Sequence, residues 1–361
     1  MEEKGKKGRM DYTLLLIVVL LVMIGLVILY STSAYNGQVK FHDSFYYLKK
    51  QAFATVLGIV LMLFVAGMDY HIWQRLAVFG YLAAVALSVA VMLFGREING
   101  SKRWLALGPF SFQPSEFAKV ALILFLADLV TKNVKTIGKM WTLCRIMFWI
   151  LPIVGLVGAS NLSTAIIILG IGVILIFVAS PKYAQFALMG IAGACFMGIF
   201  LALESYRLER LAIWRNPEKY EKGYQTLQGL YAIGSGGVFG VGIGNSVQKL
   251  GFVPEAQNDM IFSIICEELG LAGAGIIVFL FLLLIWRFFL IASESRDLFG
   301  ALIATGAMAH MMIQVILNIA VVTNTIPNTG ITLPFISYGG TSVMFLLIEM
   351  GLVLSVSQVV D

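Results

Sequence analysis

The sequence predicts an all-α polytopic membrane protein of about ten transmembrane helices, with a long external loop between helices 7 and 8. Three observations carry that reading. Of 361 residues, 59% are hydrophobic and only 12% charged, about half the charged share of an ordinary soluble domain. Mean hydropathy is +0.90. Apolar runs recur along the chain at close to the ~20 residues a helix needs to cross a bilayer. The two-residue alternation of a β-barrel is absent, which leaves helices as the way to satisfy the backbone in lipid.

The runs stand at about residues 12–31, 51–68, 73–94, 115–130, 145–157, 164–179, 183–203, 260–291, 298–322 and 337–356. The eighth is too long for a simple span, so part of it must tilt or project outward. The first follows a basic tail but is long and lacks a small-residue cleavage site, so it reads as a retained span. With no tandem repeat and no room for a second soluble unit, residues 1–361 read as a single transmembrane domain.

Lys4, Lys6, Lys7 and Arg9 in the tail and Lys132, Lys135, Lys139 and Arg145 form the two clearest basic clusters. Ten spans put both on one side, cytoplasmic by the positive-inside rule, along with both termini. Residues 1–11 are then a cytoplasmic tail, and the loop 204–259 is external. Basic residues in 37–50 and 96–103 face the other way. A connection as long as 204–259 points to function.

The net charge of +5 says little about nucleic acid, and the basic residues read as topology and headgroup signals. Cys144, Cys195 and Cys266 lack metal spacing and read as buried free thiols. His42, His71 and His310 form no metal motif. Ser246 and Lys249 match S-x-x-K, but the companion motifs of the penicillin-binding proteins are missing and the match is set aside.

Gly251–Gly270 gathers Glu255, Asp259, Glu267 and Glu268 where polar loop meets apolar helix. Carboxylates at a membrane boundary must be solvated, paired or used. Asp259 has two readings, a helix N-cap or a general base facing an external cavity, with the helix start lowering its pKa and burial raising it. Continuation of the helix would put Glu255, Ser263 and Glu267 on its face as an acidic stripe. Glu116 and Lys119, three apart on the fourth span, are either mutually neutralising or the lining of a substrate path. Arg103 and Trp104 just outside suit a phosphate contact and an interface anchor. The run from Gly234 to Gly244 reads as a tight packing turn or a phosphate cradle. Thr323–Ser342, with two prolines and Gly339–Gly340, breaks the approach to the tenth helix, so Ser337, Tyr338 and Gly339 either line a cavity or pack tightly.

Six stretches together resemble the SEDS family of shape, elongation, division and sporulation proteins, in the family's order from first span to last. They are N-G-S-K-R-W-L, Q-P-S-E-F-A-K, G-Y-Q-T-L-Q-G-L-Y-A-I-G-S-G-G, G-I-G-N-S-V-Q-K-L, P-E-A-Q-N-D-M-I-F and I-T-L-P-F-I-S-Y-G-G-T-S. The resemblance implies a ten-helix peptidoglycan glycosyltransferase that polymerises lipid II at the outer face of the cytoplasmic membrane and releases undecaprenyl pyrophosphate. N-S-V-Q-K-L is closer to the FtsW and SpoVE branch, which implies division or sporulation. Gln257-Asn258 and Ser160–Thr164 depart from the family's usual His-Thr and Pro-Asp. By motif position Asp259 is the catalytic aspartate, taking the proton from the acceptor's 4-hydroxyl with inversion at the donor carbon. Arg103, Lys119, Arg207, Arg210 and Lys249 are the candidates for the leaving diphosphate. Trp104, Glu116, Glu255, Ser337, Tyr338 and Gly339 complete the substrate-binding set. No dedicated metal cluster is expected, although magnesium or manganese would suit the diphosphate. A class B penicillin-binding protein, a transpeptidase, is the implied partner, alongside other division or sporulation membrane proteins. A lipid II flippase using the Glu116–Lys119 pair, or a non-catalytic scaffold, are the competing readings.

Overall fold

The computed structural model describes residues 10–98, 101–107, 110–187, 190 and 212–358. Helices α1 (Tyr12–Phe41), α2 (Tyr46–Gly67) and α3 (His71–Phe94) lead into a small antiparallel sheet of β1 (Arg96–Ile98), β2 (Ser101–Leu107) and β3 (Phe110–Phe112). Then come α4 (Pro114–Asn133), α5 (Met140–Ser160), α6 (Leu162–Ala179), α7 (Tyr224–Gly236), α8 (Ile261–Glu294), α9 (Leu298–Val322) and α10 (Gly340–Ser357). Eight of these, all but α4 and α7, are long and apolar enough to cross a membrane. Large apolar side chains such as Phe53, Phe64, Phe79, Leu93, Phe279 and Phe289 stand exposed on α2, α3 and α8. An apolar outer surface of this extent belongs in lipid, and the chain is a multi-pass membrane protein.

Helix α4 fails the apolarity test only because it carries Glu116, Lys119, Asp128 and Lys132, yet most of it is buried. It touches α3, α5, α6, α9 and α10, and so runs through the middle of the bundle. Its charges neutralise one another along the helix: Glu116 with Lys119 at 3.1 Å and Asp128 with Lys132 at 2.6 Å.

The first span was expected to end near residue 31, but α1 continues to Phe41, and α2 begins at Tyr46 rather than 51. In the extra turns Ser31, Thr32 and Ser33 are buried, Ser31 meets Lys249 of the long loop, and Asn36 donates to Gln257 Oε1 (3.2 Å). The seventh expected run, 183–203, lies almost wholly outside the described residues. The loop 204–259 is not irregular throughout, since α7 lies within it after two short 3-10 turns. Helix α7 buries Thr226, Gly229, Ala232 and Gly236, a small-residue face that lets it lie close against α8.

The two ends of the chain meet. Asp11 caps α1 by accepting from Leu14 N (2.8 Å), accepts from Arg287 of α8 (Nε, 3.2 Å), and donates its own amide to Ser357 Oγ of α10 (3.2 Å). The α4–α5 loop and residue 185 share that face, because Gln185 is bonded to Gly138 O (3.0 Å) through the sequence of helix reversals. Trp214 lies at the opposite face, donating to Asn324 O beyond the end of α9 (2.9 Å).

Candidate active site

Helix α8 is broken at Gly270, whose φ of 66° and ψ of −170° are not helical. The break is made by the glycine run. Val241 N and Gly242 N donate to the carbonyls of Glu267 and Glu268, both at 2.9 Å, while Leu271 N and Ala272 N donate back to Gly237 O (2.9 Å) and Val238 O (3.0 Å). The run is therefore a packing turn that satisfies the backbone groups freed by the kink. The amides of Gly240, Val241 and Gly242 are thereby used within the fold. An apolar groove of about 390 Å³ lies beside the kink between α1 and α8, lined among others by Met23, Val27, Leu269 and Ile276.

The half-helix before the kink turns Glu267 and Glu268 inward. Glu267 accepts from Ser246 Oγ and from Val247 N (3.0 Å). Glu268 pairs with Lys249 Nζ at 2.6 Å, and Ser31 Oγ joins both. Lys249 is buried, and its ammonium, taken by Glu268 and Ser31, holds the loop to α1 and α8. Lys249→Met should strand Glu268 as a buried lone carboxylate, costing about 3–5 kcal/mol. Pairing it with Glu268→Leu should recover most of that loss. Thermal melting of the two variants in detergent checks this, and a wild-type melting curve for Lys249→Met would refute the framing role.

Asp259 stands just before α8. The N-cap position falls to Met260, with no side-chain cap, so the Asp259 carboxylate is not spent on the helix amides in the capping geometry. The acidic stripe does not form either. Residues 255–260 are turns, Glu255 sits at φ 51°, and Glu267 is turned onto Ser246. Glu255 is exposed, with Lys40 at 3.9 Å and Asn258 donating to it at 2.6 Å. Asp259 itself is half-buried. Burial pushes its carboxyl up to about 6, with the nearby Glu255 charge adding to the rise; hydrogen bonds from its own amide and that of Met260 oppose it.

The wall facing Asp259 is the stretch between α9 and α10. Gly330, at φ 68°, approaches so closely that a Cβ there would come within 3.9 Å of Asp259 Oδ2. Ser337, Tyr338 and Gly339 belong to the same wall. Ser337 Oγ accepts from Leu333 N (2.8 Å), Tyr338 N donates to Gln257 O (2.9 Å), and Gln51 of α2 holds both Ser337 O (3.3 Å) and Gly339 N (3.0 Å). The Tyr338 ring sits edge-on to Tyr47, 5.0 Å between centroids. Over the wall the long loop is stitched down. Trp214 and Asn324 exchange bonds, Asn328 donates to Gln225 Oε1 (3.2 Å), and Gln225 donates to Pro254 O (3.2 Å).

The sheet brings Arg103 to the same neighbourhood. Its Nε donates to Ser160 O at the end of α5 (2.9 Å), and Ser163 at the start of α6 donates to Thr329 O (2.7 Å), one residue from Gly330. Trp104 is half-buried next to it on β2. The strands went unanticipated because three-residue β1 and β3 are too short to show an alternation. Arg207 and Arg210 lie outside the described residues.

Glu116 and Lys119 pair within the bundle, and Lys119 Nζ also donates to Gln314 Oε1 of α9 (3.2 Å). Gln314 belongs to a set the sequence reading passed over: His310, Gln314, Asn318 and, on α10, Glu349, all buried. The available signal was H-x-x-x-Q-x-x-x-N, three polar side chains four residues apart on an otherwise apolar helix.

Comparison with known proteins identifies relatives of this chain. Residues 12–361 match the family described as cell cycle protein, FtsW, RodA and SpoVE. The stage V sporulation protein E of Bacillus subtilis (strain 168) is 39% identical over 366 residues, covering 98% of each chain. A probable peptidoglycan glycosyltransferase FtsW of Trichlorobacter lovleyi is 35% identical, covering 96% of this chain and 93% of the relative. Among solved structures, a chain from work on the structural coordination of polymerization and crosslinking by a peptidoglycan synthase complex superposes with a TM-score of 0.82. It is 30% identical, covering 96% of this chain and 97% of that one. The rod shape determining protein RodA of Thermus thermophilus superposes with a TM-score of 0.72 at 28% identity, covering 96% of each.

Proposed function

Because this chain belongs to the FtsW, RodA and SpoVE family, we propose that it is a peptidoglycan glycosyltransferase that polymerises lipid II, with Asp259 as its general base. The observation that carries the assignment of the base is the state of that side chain. It is half-buried, raised to about 6, close to a glycine wall, and not committed to capping α8. A carboxylate of that pKa is ionised at neutral pH and still basic enough to accept a proton in the transition state.

The acceptor's 4-hydroxyl oxygen forms the new bond to the anomeric carbon of the donor as its proton passes to Asp259. The bond from that carbon to the diphosphate breaks, and its electron pair departs with undecaprenyl pyrophosphate from the opposite face, so configuration inverts. Lys119 and Arg103 are the described cations assigned to the developing negative charge, with Arg207 and Arg210 as further candidates. Trp104, Glu116, Ser337, Tyr338 and Gly339 are assigned to the sugar and stem-peptide walls, and exposed Glu255 to the rim. The α1–α8 groove is assigned to the start of the lipid tail, which is apolar enough to suit it.

No three His, Cys, Asp or Glu side chains gather as a cation nest among the described residues. Magnesium or manganese is proposed as the counter-ion of the substrate's diphosphate.

The side of the membrane is part of the proposal. The face carrying both chain ends also bears Lys132, Lys135, Lys139 and Arg145 and is taken as cytoplasmic, which leaves Asp259 external. Division or sporulation is the setting favoured by the FtsW and SpoVE relatives. A class B penicillin-binding protein is proposed as the partner, on the strength of the likeness to a chain of a peptidoglycan synthase complex.

The test is polymerisation in detergent, where no membrane sides exist. The chain with its cognate transpeptidase and labelled lipid II should yield a glycan ladder on a gel. An absence of polymer from an active, folded complex would hand the case to the flippase or the scaffold.

A further inference from the structure

We infer that His310, Gln314 and Asn318 on α9 form a positioning stripe that sets Lys119 and Asp259 in register with one another, with Glu349 fixing the imidazole at its inner end. This rests on the polymerase reading above, in which Asp259 is the base and Lys119 faces the leaving group.

Four-residue spacing stacks the three side chains on one face of the helix, and each holds something different. Asn318 Nδ2 donates to Asp259 O at 2.9 Å and to Ile331 O at 2.7 Å, tying the backbone of the base to the wall it faces. Gln314 Nε2 donates to Thr332 O (3.1 Å) in the same wall. A backbone carbonyl only accepts, so that contact orients the amide and leaves Oε1 facing inward. Oε1 takes Lys119 Nζ at 3.2 Å and faces His310 Nε2 at 2.8 Å. The imidazole must therefore carry a proton on Nε2. Its Nδ1 is 2.8 Å from Glu349 Oε2, a second contact that fixes the orientation of the ring.

The consequence is geometric. An ammonium has three donors, and among the described residues Glu116 and Gln314 take two of those on Lys119. Its position is thereby fixed, with one N–H not committed to these two partners. A single rigid helix carries the brackets for both groups, so the distance between them does not depend on the long loop. Misplacement by about 1 Å at such a site costs on the order of 10²-fold in rate.

The experiment uses the full-length chain with its transpeptidase partner and purified lipid II, recording kcat, KM, the pH profile and the melting temperature. Gln314→Leu should lower kcat about 10- to 100-fold with KM within about threefold, the pattern of an interaction realised in the transition state. Asn318→Leu should loosen the Asp259 backbone and expose its carboxyl, moving the acid limb of the pH profile downward. Glu255, the other charge acting on Asp259, is left unaltered in both. Glutamine places an N–H close to the position of imidazole Nε2, so His310→Gln should stay within about threefold of wild type where His310→Leu falls at least tenfold. That pair decides the matter even when the α9 leucine variants fold poorly. Equal losses in His310→Gln and His310→Leu, or unchanged activity per folded molecule in Gln314→Leu, would overturn the stripe while wild-type polymer leaves the enzyme reading intact. A wild-type chain that makes no glycan overturns both.

Discussion

Asp259→Asn is expected to abolish glycan synthesis and at the same time to raise the melting temperature. The loss follows from the chemistry. General base catalysis contributes about 10²–10⁴-fold, and a neutral amide cannot take the acceptor's proton. The gain follows from the sign of the pKa shift. Burial raises the Asp259 carboxyl from its ordinary 3.8 to about 6, so the folded state prefers the protonated form. The charged form is a burden on stability that appears as pH rises through the unfolded-state value near 4 and is complete above about 6. Asparagine mimics the protonated form and removes that burden at neutral pH. In the wild type, polymerisation should fall away as pH drops below about 6, because the base becomes protonated. Rates on labelled lipid II between pH 4.5 and 8, with melting curves for both proteins, check all of this. A variant that is inactive and also less stable at pH 7.5 would point to a structural aspartate.

Gly270→Ala should be the most damaging change in the frame. At φ 66° and ψ −170° the backbone lies where essentially only glycine goes, at a cost of about 1–3 kcal/mol for any other residue. The added Cβ would also sit 2.5 Å from Val238 O and 2.6 Å from Phe239 N. Both are backbone atoms, and Val238 O is held by the bond from Ala272 N, so neither can yield cheaply. The strain and the lost bonds together should exceed about 3 kcal/mol, seen as a collapse of the monodisperse peak in detergent or a fall in melting temperature. Gly275→Ala, five residues further along the same helix with open space around it, should stay within about 1 kcal/mol of wild type. Equal behaviour of the two would mean that the kink is not imposed by the loop.

Much of the bundle was readable from apolar runs because lipid demands them on every outward face. Helix α4 was readable as well, since its four charges interrupt the run without ending it. The sheet after α3 and the extra turns of α1 were not, because neither is dictated locally. Ser31, Thr32 and Ser33 continue a helix only because Lys249 and Glu268, more than 200 residues away, give Ser31 buried partners. Asp259 stood out by position and motif, while the kink that ends its half-helix needed the pairing of two distant glycine segments. Lys249 shows the same limit from the other direction, as a basic residue in a polar loop that turns out to be buried and ion-paired. His310 looked solitary in the sequence, and it acquires partners only through α9 meeting α10.

The knot of bonds at Asp11 has a bearing on how the molecule is made. The helix it caps, α1, precedes the other described helices in the chain, whereas Ser357, which receives its amide, belongs to α10, which follows them. Arg287 of α8 comes in between. The contact that joins α1, α8 and α10 at this residue can therefore form only once α10 is in place.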